Sequence, residues 1–166
     1  MNPIHYLLPL FLCLLVIPCH ANPTAEPPLP AYSKAYDSAR DPIADGIEAL
    51  KLARDTNRLV LIEVGGDWCR WCLVLDHFLK KYSALNQQLH NTFVLLKVNV
   101  ENSNSHPKFF KPFPSAKGYP HMYITDNKGS ILHSQDTAQF LHKGKYSVKQ
   151  FAAFLEHWSK YNAQRP

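Results

Sequence analysis

LVLIEVGGDWCRWCLVLDHFL, residues 59–79, carries three signals in succession. Leu59 to Val64 is a nearly continuous apolar run, as expected of a strand buried on both faces. Gly65 and Gly66 end it. Cys69 and Cys72 then stand one helical turn apart, at the head of an apolar stripe through Val74, Phe78, Tyr82 and Leu85. Two sulfurs at this spacing form a structural staple, half of a metal site or a reactive pair. A bridge between residues three apart closes almost no loop and removes little unfolded-state entropy, which argues against a staple. A closed zinc site needs four ligands, and the other two cysteines, Cys13 and Cys19, fall in the N-terminal apolar segment.

The rest of the chain bears on the choice. Its 166 residues suit one domain. Residues 1–21, MNPIHYLLPLFLCLLVIPCHA, contain no Asp, Glu, Lys or Arg. The apolar core from Leu7 to Ile17 is shorter than the roughly 20 residues that span a bilayer, and it ends near a small Ala21. This reads as a signal peptide, although the leading residues lack Lys and Arg; the alternative is an uncleaved N-terminal anchor. Cleavage would remove Cys13 and Cys19, leaving a periplasmic or secreted chain with two cysteines and no stable membrane anchor. An exported domain stapled by disulfides normally shows more cysteines at wider spacings. The net charge of +5 is spread along the chain and is no signature of nucleic-acid binding.

Residues 22–35 begin NPTAEPPLP and read as a Pro-rich leader, with one domain over 36–166. Asp41 before Pro42 is an N-cap followed by proline in the first turn, and Ile43, Ile47 and Leu50 follow at helical spacing. FVLLKVNV, residues 93–100, is a second buried-type strand. The prolines of residues 102–120 rule out a long helix there. Within this segment HPKFFKPF mixes Lys and Phe and is expected to be a flap over one side of the active site, rather than a stacking surface for single-stranded nucleic acid. HMYIT and SILHS flank a turn at Asp126–Gly129, and Ser147 with Gln150 opens a last helix through Val148, Phe151, Leu155 and Trp158. The order implies an α/β domain with a mixed sheet.

At a strand-to-helix junction the first cysteine meets outward-pointing helix N–H groups, which favour its thiolate and lower its pKa. The second, one turn in, is placed to attack a mixed disulfide and release the partner. Arg70 adds a cation between them. Trp68 and Trp71 form an apolar rim for a polypeptide, or else pack into the core. Glu63 and Lys97 each interrupt an apolar strand, where a charge is costly unless paired or required. If the strands are neighbours, the two meet beneath the cysteines and Glu63 takes the proton of Cys72; otherwise each points to solvent at a strand end.

Four features together resemble the thioredoxin superfamily: E-V-G-G-D-W-C-x-x-C from Glu63, K-V-N-V-E from Lys97, G-Y-P at residues 118–120, and the hairpin that follows. The likeness covers residues 41–160. It implies a thioredoxin-like α/β fold, with a central mixed sheet of about four strands and helices on both faces. It also implies that Glu63 is the family's buried acid, Lys97 its lysine, and Pro120 a cis-proline facing the cysteines. Tyr119 then pairs its backbone with substrate chains. The dipeptide Arg70–Trp71 departs from thioredoxin's Gly-Pro, and W-C-x-W-C is similar to exported bacterial thiol–disulfide interchange proteins. The resemblance thus implies a thiol–disulfide oxidoreductase without a cofactor, leaning to reductase or isomerase. Its partners would be client proteins with cysteines or disulfides and an upstream redox protein. Two other readings use the same residues: a Cu(I) or Zn(II) module in which His77 or His121 joins the sulfurs, and a redox-inactive interaction domain.

Overall fold

The computed structural model describes residues 28–165; the segment read as a signal peptide and the first part of the Pro-rich leader lie outside the described residues. The elements run α1 (Ala31–Lys34), α2 (Pro42–Asp55), β1 (Leu59–Gly65), α3 (Arg70–Lys81), α4 (Ser83–Thr92) and β2 (Phe93–Asn99). After these come α5 (Pro107–Phe110), β3 (His121–Thr125), β4 (Ile131–Asp136), a short hairpin β5 (Leu141–His142) and β6 (Lys145–Tyr146), and α6 (Val148–Ala163). Among the described residues no helix is long and apolar enough to cross a membrane.

Four strands form a mixed sheet in the order β2-β1-β3-β4, with β1 parallel to β2 and antiparallel to β3. All of β1 and β2 is buried, which explains their unbroken apolar runs. Leu59, Leu61, Phe93 and Leu95 face α3, α4 and α6, where they pack with Leu75, Leu79, Leu89, Phe151 and Leu155. Val60, Ile62, Val94 and Leu96 face the opposite layer with Tyr32, Ala49 and Ala53. This is the expected thioredoxin-like sandwich.

Several local expectations are corrected. Asp41 does cap α2, accepting the Ile43 N–H at 2.9 Å, but the helix buries Asp45, Ala49 and Ala53 while Ile43 and Ile47 face solvent. Small side chains bring α2 close to the sheet, and Asp45 tolerates burial because Arg40 pairs with it through two nitrogens. The stripe after the cysteines is Cys72, Leu75, Phe78 and Leu79, with Val74 turned outward. Helix α3 stops at Tyr82, whose non-helical backbone separates it from α4. Ser147 caps α6 as expected, yet Val148 is exposed.

Packing begins upstream of Tyr36: Tyr32 is buried, and the Ser33 hydroxyl donates to the Leu95 carbonyl at 2.5 Å. Phe109, Phe110 and Phe113 pack among themselves and against Tyr123 on the α1/α2 face, so HPKFFKPF lies over that core layer.

Candidate active site

The end of β1 and the start of α3 place the two sulfurs. Cys69 has extended backbone dihedrals and is the N-cap of α3, its Sγ accepting the Cys72 backbone N–H at 3.2 Å. A sulfur in this position takes the place of the usual capping oxygen at the positive end of the helix. Cys69 and Cys72 are joined as a disulfide, with Cys69 4% exposed and Cys72 fully buried. Gly65 makes room for it. A Cβ added there would lie 2.9 Å from the Tyr36 hydroxyl oxygen and nearer still to Cys72 Sγ.

Two residues back along the same face lies Glu63, completely buried and registered against Lys97 across the parallel pair. Lys97 Nζ stands 3.7 Å from Glu63 Oε1 and donates to Asp76 Oδ1 at 2.5 Å. The Tyr36 hydroxyl donates to the same Glu63 Oε1 at 2.5 Å, and Lys97 Nζ lies 4.9 Å from the Tyr36 ring centre. Both neighbours therefore engage one carboxylate oxygen; among the described residues, Glu63 Oε2 is buried without a hydrogen-bond partner. Burial raises the Glu63 pKa above the ordinary carboxylate value, and the attraction of Lys97 only partly offsets this. Burial works against the charged Lys97, but the carboxylates of Glu63 and Asp76 outweigh it and raise its pKa. Burial, reinforced by the Glu63 charge, holds the Tyr36 hydroxyl well above its usual range.

Trp68, Arg70 and Trp71 are exposed around the disulfide. The Trp68 indole N–H donates to the Val100 carbonyl at 2.7 Å, and its ring meets Tyr119 edge-on at 5.5 Å. Together they flank a cleft of about 870 Å³ that Asp67, Asn99 and Glu101 also line. Trp71, 40% exposed, leans edge-on against Tyr146 at 6.0 Å. The Tyr119–Pro120 peptide bond is cis.

Sequence reasoning missed Tyr36 and Asp76. Asp76 follows Cys72 by four residues and so shares its helix face, a legible signal; Tyr36 lies in the irregular segment between α1 and α2 and offers none. Neither His77 nor His121 joins the sulfurs. His77 is exposed, its Nδ1 2.7 Å from the Leu73 carbonyl oxygen. His121 is buried against Tyr123 with Nε2 2.8 Å from Ser134 Oγ, and burial lowers its pKa. Among the described residues no group of three or more His, Cys, Asp or Glu side chains is arranged to hold a metal ion.

A family model, Thioredox_DsbH, described as a protein of unknown function, DUF255, matches residues 34–165. The chain belongs to that family. The fold of the chain is also seen in solved structures of other proteins. A disulphide isomerase from Xylella fastidiosa Temecula1 superposes with a TM-score of 0.61 at 21% identity, covering 80% of this chain and 98% of that one. The C-terminal domain of Neisseria meningitidis DsbD, in its oxidised form, gives 0.54 at 15% identity, covering 70% and 95%. No curated protein matches the chain in sequence. The family member described here thus has the thioredoxin-like fold of disulfide oxidoreductases and carries a C-x-x-C pair.

Proposed function

We propose that the chain is an exported thiol–disulfide oxidoreductase acting on protein cysteines, as a reductase or isomerase. The observation that carries this reading is the Cys69–Cys72 disulfide capping α3 immediately beyond a buried Glu63–Lys97 pair. A structural bridge has no need of a buried carboxylate with an unpartnered oxygen; a resolving thiol that must lose a proton does.

In the reducing direction the Cys69 thiolate attacks a client disulfide, forming a mixed disulfide and expelling one client thiolate, which takes a proton from solvent. Cys72 then gives its proton to Glu63 and attacks the Cys69 sulfur. The mixed disulfide breaks, and the second client sulfur leaves with the electron pair and is protonated in turn. Two electrons and two protons reach the client, and the protein ends oxidised as observed here. An upstream dithiol protein restores the thiols. Trp68, Trp71 and Tyr119 provide the apolar rim on which the client rests, Pro120 follows Tyr119 through a cis peptide bond, and Arg70 adds positive charge. Residues 1–21 supply export to the periplasm or beyond.

Equilibration with glutathione buffers, followed by counting alkylated thiols by mass, tests the reading. The pair is expected to exchange as a two-electron couple on the reducing side of about −150 mV, within the range of about −270 to −120 mV spanned by C-x-x-C proteins. A disulfide that no such buffer opens would overturn the exchange reading. A potential more oxidising than about −150 mV would overturn the reductase or isomerase direction alone.

A further inference from the structure

From the contacts of Tyr36, we infer that its hydroxyl is the proton relay between Cys72 and Glu63. This assignment rests on the exchange reading above and adds a residue to it. Three observations bring the hydroxyl close to both groups. It donates to Glu63 Oε1 at 2.5 Å. A Cβ added at Gly65 would lie 2.9 Å from this hydroxyl oxygen and nearer still to Cys72 Sγ, so both atoms border the same small space. Tyr36, Cys69 and Cys72 also form a small buried cluster of their own, apart from both main cores.

The step balances without an ionised tyrosine. As the Cys72 thiol passes its proton to Tyr36 Oη, Tyr36 passes its own to Glu63 Oε1. The thiol becomes a thiolate, the carboxylate becomes a neutral acid, and Tyr36 is neutral before and after. Its hydroxyl now points at the new thiolate and stabilises it with a hydrogen bond. Cys72 then attacks Cys69 Sγ, and the client sulfur leaves with the electron pair. The raised pKa of the hydroxyl suits a group that hands on a proton and never keeps a charge.

The other titratable groups facing this trio are Lys97 from β2, Asp76 from α3 and Tyr146 from β6. Lys97 already donates to Asp76, so it leaves the Tyr36–Glu63 contact in place. Tyr146 is pushed up to about 12 by burial and stays neutral through the working range.

The test follows release of glutathione from a preformed Cys69–glutathione mixed disulfide, by stopped flow, from about pH 6 to about pH 9. With the relay, the wild-type rate should change little with pH once Glu63 is ionised. Tyr36→Phe keeps the ring and removes the oxygen. Its release rate should fall roughly 10²-fold at pH 7, in the range typical of general acid–base catalysis. It should then climb about tenfold per pH unit, because Cys72 must ionise directly to solvent. Glu63→Gln should give the same profile, and the double variant should be no slower than the slower single one.

An unchanged profile in Tyr36→Phe, or a loss equal at every pH, would overturn the relay; the latter would assign Tyr36 to packing. The initial attack by Cys69, measured in a Cys72→Ser background, reports separately on the exchange reading. Attack without a change of release profile fails the relay alone, and absence of attack fails the exchange reading itself.

Discussion

Two ends of one strand pair differ sharply. On the face of the sheet that meets α3, α4 and α6, the parallel strands β1 and β2 present Leu59 with Phe93 and Leu61 with Leu95, then Glu63 with Lys97 and Gly65 with Asn99. All eight residues are buried. The first two pairs contribute apolar area removed from water, about 25 cal/mol per Å². The last two surrender that contribution to bury a carboxylate and an ammonium and to set a bare Cα against Cys72 Sγ. One step along the pleat separates a layer that holds the fold from a layer that costs stability and, in the function proposed above, supplies chemistry. The register that buries Leu61 against Leu95 is what brings Glu63 to Lys97.

The largest effect is expected from breaking the charged layer. Lys97→Met leaves Glu63 buried without its ammonium, and should cost about 3–5 kcal/mol of stability while Glu63 is ionised. The sign with pH follows from the raised Glu63 pKa. Its protonated form is the one the fold favours, so its contribution is complete below the ordinary value of 4.5 and is lost as pH rises through the folded value. Wild-type stability should therefore decline across that window, and Lys97→Met should steepen the decline, as urea unfolding at several pH values would reveal. A loss equal at all pH values would mean that the charged layer acts as ordinary packing.

Leu61→Ala, one layer away, should cost a comparable or slightly smaller 2–5 kcal/mol, about the usual range for a core leucine. Here no pH dependence is expected, and the glutathione equilibrium of the cysteines should remain unchanged in the folded protein. Gly65→Ala drives a methyl into Cys72 Sγ and the Tyr36 hydroxyl. It should destabilise by about 1–3 kcal/mol, the usual penalty of overpacking, and should disturb the sulfurs more than Leu61→Ala does. Ile47→Ser, at a position 64% exposed on the outer face of α2, should stay within about 0.5 kcal/mol by the same unfolding assay.

The same contrast explains what could be read in the sequence. Leu59 to Val64 and residues 93–100 announce themselves because both faces of each strand are buried, and the charges at Glu63 and Lys97 stand out against that background. The cysteines follow directly from the strand, so their place at a helix start is local information. Caps such as Asp41 and Ser147 are equally local. Helix α2 is harder: Ile43 with Ile47, and Asp45 with Ala49 and Ala53, are two stripes of the same period. Hydrophobicity favours the first, while close packing and the Arg40 pairing of Asp45 select the second. Tyr36 meets Glu63 from 27 residues away, through an irregular segment whose path no periodicity records.

The central claim is that Cys69 attacks and Cys72 resolves, and trapping tests it most directly. Cys72→Ser and Cys69→Ser are each reduced, mixed with a disulfide-containing model protein at neutral pH, and run on non-reducing gels with mass analysis of the adducts. Cys72→Ser should accumulate a mixed disulfide at Cys69, because attack proceeds and release stalls. Cys69→Ser should trap little, since Cys72 is fully buried and Cys69, not Cys72, caps the helix. Equal trapping by both variants would contradict the division of labour, and trapping by neither would contradict the exchange chemistry itself.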